Sequence, residues 1–277
     1  MARNETVTTI GLRHVRVAKR GTDNLIEIPA DWPAGTAYNG LRIGGALAMT
    51  ATLPPPNRVV ARGDDRAYHT FNLPPTEGVT GELRVSKSAM DVMALLTDTL
   101  VFGNSPVRKV GMGTDRQGLE PAVLLWGCNM GVDTEDGSPY YGQQVWNTYI
   151  FLNALCTPSP ASKEDQAIGE VTYAVSANDA TVDELGVAFT RAINGFTKAP
   201  YLMITTLDQF MLDSFEGTGA VTEFTLSETP SEEITPQVAQ DGAVLTEEED
   251  YTISEGVLTI TPAPADGSKI LVEYTYA

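Results

Sequence analysis

Residues 145–155 read VWNTYIFLNAL, and this run decides how the rest of the chain is understood. Its residues fall into two alternating sets, Trp146, Thr148, Ile150 and Leu152 against Asn147, Tyr149, Phe151 and Asn153. Successive side chains of a strand point to opposite faces, so a strand with one wet face keeps its large apolar residues in one set. Here both sets carry them. Both faces are therefore expected to meet protein, which puts the strand inside a layered β structure.

On either side lie shorter runs of the same kind, at 41–53, 81–85, 122–126, 171–175 and 201–206. Turn signals punctuate them: Pro54 to Pro56, Pro74 and Pro75, Gly111 and Gly113, Gly137 and Pro139, Pro158 and Pro160. Two stretches have helical spacing instead. Ser88 with Asp91 three residues on resembles a capping box, and Ala89, Val92, Met93 and Leu96 follow on one stripe. Thr181 with Glu184 repeats the signal, ahead of Leu185, Ala188, Phe189, Ala192, Ile193 and Phe196. The pattern predicts a mainly β (α+β) domain, a sandwich or barrel with one or two flanking helices, and not a βαβ nucleotide fold.

Charge divides the chain. Residues 213–277 hold 14 acidic side chains and one base, Lys269, a net charge of −13 within a total of −18. Such a step predicts two units, 1–212 and 213–277, the second a small acidic β-sandwich. Its strands are expected at 221–226, 238–245, 251–254, 257–261 and 269–274, with tight turns at Asp241-Gly242, Glu255-Gly256 and Asp266-Gly267. The whole chain has 277 residues, 42% hydrophobic and 19% charged, with a mean hydropathy of −0.10, as a folded soluble protein would. The acidic balance opposes wrapping of nucleic acid. No apolar run reaches bilayer or signal-peptide length, so folding in a cytoplasm and no membrane partner are expected.

Candidate chemistry is sparse. The two histidines, His14 and His69, have no nucleophile at a motif spacing, and Cys128 and Cys156 form no CxxC pair, so neither a catalytic residue nor a metal site is expected. Cys128 and Cys156 read as reduced core thiols. Asp133, Glu135, Asp136 and Gly137 begin like a calcium loop, but Gln144 stands where the closing Glu is needed, so a polar hairpin tip is the better reading. Glu247 to Asp250 read as a solvated turn. Gly111, Gly113 and Gly118 lack a Walker lysine, and no cofactor is expected.

In residues 213–277 the glycines Gly217, Gly219, Gly242, Gly256 and Gly267 keep their order around Thr222, Phe224, Leu226, Asp250-Tyr251-Thr252, Leu258-Thr259-Ile260 and the closing run Lys269, Ile270, Val272, Tyr274. This layout resembles small β-modules appended to bacteriophage virion proteins, especially of tails and fibres. Residues 10–207 resemble, by layout, the tail tube (major tail) proteins of long-tailed phages. That resemblance implies a virion structural protein whose hexameric rings stack into a tube, assembled in the host cytoplasm, with DNA passing through the lumen without specific binding. It also implies partners such as tape measure, initiator and terminator proteins beside further copies of the chain itself. Pro54, Pro55, Pro56, Asn57, Arg58, Arg62, Asp64, Asp65 and Arg66 would belong to a long loop, 54–72, reaching the adjacent ring. Ser88, Ala89, Val92, Met93 and Leu96 would form the flanking helix, and the acidic module would decorate the outside and be dispensable for assembly. Two other readings stand beside it. One is a different virion component, such as a capsid decoration protein, head-tail connector or fibre base. The other is an adhesin that binds glycans or protein through Tyr251, Tyr274 and Tyr276, which read first as sheet-packing residues.

Overall fold

In a computed structural model of the chain, the structure describes residues 7–52, 57–63, 66–73, 78–86, 90–97, 100–102, 109–111, 123–134, 140–159, 170–191, 195–232 and 234–277. The first unit holds β1 (Val7–Lys19), β2 (Leu41–Arg42), β3 (Ala46–Thr52), β4 (Asn57–Gly63), β5 (Arg66–Leu73) and β6 (Val79–Val85). After α1 (Met90–Thr97) come β7 (Leu100–Phe102), β8 (Lys109–Gly111), β9 (Val123–Asp133), β10 (Gln144–Pro158), β11 (Val171–Ala177) and β12 (Tyr201–Thr206). The second unit holds β13 (Gln209–Glu216), β14 (Glu223–Thr225), β15 (Gln237–Gln240), β16 (Ala243–Val244), β17 (Tyr251–Ser254), β18 (Val257–Ile260) and β19 (Lys269–Tyr276).

β10 organises the first unit. Along one side it pairs with β9; along the other it pairs first with β12 and then with β11, giving an antiparallel sheet ordered β2-β1-β9-β10-β11-β6-β3 with β12 as a branch. Both of its faces are covered, as the alternation implies. Trp146, Ile150 and Leu152 join Leu124, Trp126 and Cys128 of β9 in one core, while Phe151 joins Val123 and Leu125 in another. Between Phe151 and Ala154 the register against β9 slips, β10 advancing three residues to two on β9. This bulge reverses the alternation, so Ala154 and Cys156 lie in the second core although Leu152 lies in the first. The second core is closed by β3, β6 and β11 and by Val92 and Leu96 of α1, with Met93 packed at its margin.

Several expectations are corrected here. Residues 181–190 form no helix; they are a turn closed by the bridges Val182↔Ala188 and Ala180↔Ala199. Asp183 Oδ1 accepts from the backbone N–H of Leu185 (3.0 Å) and Val187 (2.8 Å), and Gly186 sits at a φ of 78°. These local bonds and the left-handed residue replace the helical ladder. The expected loop 54–72 is in part a two-stranded ribbon, β4 with β5, in which Arg62 faces Ala67 and Gly63 faces Arg66. Asn57 and Arg58 also lie on β4, whereas Pro54, Pro55, Pro56, Asp64 and Asp65 lie outside the described residues, as do Ser88 and Ala89.

The second unit is a sandwich. One sheet runs β13-β19-β15-β16, the other β14-β18-β17, and Phe215, Phe224, Val238, Leu258, Ile270 and Val272 fill the space between them. Asp241 and Gly242 (φ 50° and 78°) and Glu255 and Gly256 (50° and 78°) make the two-residue turns that the sequence predicts. The unit begins at Gln209, since β13 pairs with β19 over its full length from Gln209↔Tyr276 to Glu216↔Lys269.

Candidate functional site

Among the described residues no group of three or more His, Cys, Asp or Glu side chains could hold a metal ion. Cys128 and Cys156 are buried free thiols in different cores. Burial pushes the Cys156 thiol up to about 12, where it stays protonated and unreactive. His14 sits at a β1 bulge with a φ of 53°, beside an open cleft of about 290 Å³ shared with Arg42, Gly44 and Gly45. The side chain of His69 is outside the described residues, as are Glu135, Asp136, Gly137, Gly113 and Gly118. Asp133 closes the β9–β10 hairpin, its N–H donating to Gln143 O (3.0 Å) and its carbonyl accepting from Gly142 N–H (2.7 Å). Glu247 to Glu249 are exposed in a turn that Asp250 ties back to the Thr246 N–H at 2.8 Å. Tyr251 and Tyr274 are buried in the sandwich and Tyr276 packs at its edge, which leaves them as packing residues.

β1, β9, β10 and β12 form an antiparallel four-strand array within the larger sheet. On its outer side β1 is covered from Val15 to Lys19, by β2 at Arg16 and Val17, by the Ile43 N–H on Val15 O (2.8 Å) and by the Glu27 N–H on Lys19 O (2.9 Å), and no strand among the described residues pairs with the outer edge of Val7 to Arg13. At the opposite end no described strand pairs with the outer edge of β12, whose Met203 is 47% exposed. Among the described residues the array therefore ends in two strand edges without a partner strand, and an edge of this kind can accept one. The ribbon β4–β5 is a third: it pairs with no other described strand.

The two units meet in an extensive joint. Phe210, Leu212, Ala239 and Leu271 of the second unit enter the core formed by Leu124, Trp126, Ile150 and Leu152. The backbone of Tyr38 pairs with Ser214 in both directions, at 2.8 and 2.9 Å, covering the outer edge of β13 at that residue. A polar chain crosses the joint beside it. Arg16 Nη1 donates to Asn39 Oδ1 (2.6 Å), Asn39 Nδ2 to Ser227 Oγ (2.9 Å) and Ser227 Oγ to Asp213 Oδ1 (2.7 Å). Asp213 Oδ2 also accepts from Ser227 N–H and from the Tyr274 hydroxyl, each at 2.7 Å. Burial raises the Asp213 carboxyl above its ordinary range, and these donors and the Arg16 charge oppose the shift. A chain ending at Leu212 would strip cover from Leu124 and Trp126 and break this network. The second unit is thus docked on the first as a layer.

No protein-family model matches the chain, and no curated protein matches it.

Proposed function

We propose that this protein is a self-assembling structural subunit of a virion tail, forming rings that stack into a tube through which DNA passes without being held. The observation that carries the reading is the pair of open edges on the β1-β9-β10-β12 array. Each ladder in it is antiparallel, so β12 runs antiparallel to β1 of the same array. Adding β12 of one copy to β1 of the next therefore continues the alternation. The contact is head-to-tail, using two different patches, and such a contact gives a ring where its rotation closes and an open helical filament where it does not. Main-chain bonds satisfied in this way remove edges that would otherwise invite uncontrolled aggregation. The β4–β5 ribbon supplies an arm for contact between rings, the role expected of 54–72. Residues 1–212 carry a net charge of −5, which suits the wall of a conduit that must not hold the DNA backbone, and the −13 of the second unit faces outward.

Electron microscopy and sedimentation of the purified chain test the reading. Rings or tubes are expected. Met203→Lys puts a charge on an exposed position of the β12 edge, so it should abolish rings and leave the melting temperature of the monomer unchanged. A chain that stays monomeric at high concentration, or a Met203→Lys protein that assembles like the parent, would overturn it.

A further inference from the structure

Two carboxyl groups meet at the centre of the joint. Glu184 lies on the turn after Asp183 in the first unit; Glu273 lies on β19 of the second, opposite Leu212 on β13 and Gln237 on β15. Glu184 is 6% exposed, its Oε2 is buried with no hydrogen-bond partner, and the carboxyl that acts on it most strongly is that of Glu273. A hydrogen bond between two carboxyl groups needs one proton, because two carboxylates have only acceptors.

Nearby groups do not relieve the pair when that proton leaves. Asp183, on the same turn, adds a third carboxyl whose Oδ1 is already committed to the N–H groups of Leu185 and Val187. Arg20, just beyond β1, faces Glu184, but its guanidinium donates to the carbonyls of Asn24 (2.7 Å), Leu152 (2.6 Å) and Asp183 (3.0 Å). Asp23 stands near Arg20 and draws on the same charge.

We propose that the Glu184–Glu273 pair is a proton-operated latch: one shared proton holds the second unit on the first, and losing it as the pH rises loosens the joint. Burial, the largest cause, raises both carboxyl groups above their ordinary range. The sign follows from linkage. Between the ordinary Glu value of about 4.3 and the raised folded value, the docked state binds more protons than the unfolded chain. Stability from the latch is therefore present at acid pH and is lost as the pH climbs through the folded value. Arg20, brought down to about 10 by burial, keeps its charge over the range tested below.

The test uses the full chain between pH 5 and 9, with thermal melts and acrylamide quenching of tryptophan. Trp126 and Trp146 lie in the core that the second unit closes, so an opening joint exposes them to quencher; Trp32 is 38% exposed already. In the parent, the melting temperature should fall by about 2–4 °C or more as the pH rises, while quenching grows. In Glu184→Gln the amide donates to Glu273 without a titrating proton, so both curves should flatten. The double variant Glu184→Gln with Glu273→Gln should flatten them too, and it decides the matter if the single variant does not fold. Curves in the parent that are level from pH 5 to 9, or glutamine variants that keep the parent's slope, would overturn the latch.

Discussion

Tyr274 shows how one side chain serves both packing and polarity. Its ring is buried between the two sheets of the second unit; its hydroxyl donates to Asp213 at 2.7 Å and accepts from the Glu228 N–H at 3.1 Å. Burial is the main cause raising the hydroxyl above its ordinary value, and the Asp213 charge adds to it, so this group stays a donor throughout the stable pH range. Tyr274→Phe keeps the ring and leaves a buried carboxylate one donor short. It should cost about 1–3 kcal/mol in urea melts. The cost should shrink in an Asp213→Asn background, because a neutral amide loses less when the hydroxyl is gone. Equal costs in both backgrounds would mean that ring packing, not the hydrogen bond, is what the substitution removes. Part of this was legible in the sequence: Tyr274 falls at a strand position and reads as a packing residue. Its bond to Asp213 was not, because the two residues meet only through the β13–β19 ladder, and β13 crosses the charge step that hid it.

At the scale of elements, β10 was readable because both of its alternating sets carry large apolar groups. The turns at Asp241-Gly242 and Glu255-Gly256 were readable because only residues that tolerate positive φ serve there. β1 escaped notice because slips near Gly11 and between Arg13 and Arg16 break its alternation. The expected helix from Thr181 failed for a reason the sequence does contain, a glycine at 186 within the apolar stripe. Apolar periodicity reported correctly that Leu185 and Phe189 are core residues, but a packed turn can place them as well as a helix can. The reversal at the β10 bulge gives an element-scale prediction. Deleting Asn153 removes the extra residue and sends the positions of Ala154 and Cys156 to the wrong core. Circular dichroism on heating should then show no cooperative transition. A cooperative melt close to the parent's would mean that the bulge is not what sets the two faces.

For the whole molecule, the layers run from α1 and β6 through the second core to the β9–β10 sheet, then through the first core to the second unit and its sandwich. The sequence conveyed the mainly β class and the small sandwich. It could not convey that the sandwich docks through Phe210, Leu212, Ala239 and Leu271, because charge marks the exposed face and docking uses the other. Both faces of the central sheet are occupied, so the proposed joining of copies falls to its margins. Amide hydrogen exchange, compared between dilute monomer and assembled protein, reads those margins directly. The account predicts that the outward-pointing amides of residues 7–13 and 201–206, those not bonded to β9 and β10, exchange fast in the monomer and become strongly protected together on assembly, while β9 and β10 are protected in both states. Assemblies in which these two segments exchange as fast as in the monomer would contradict the edge-to-edge ring.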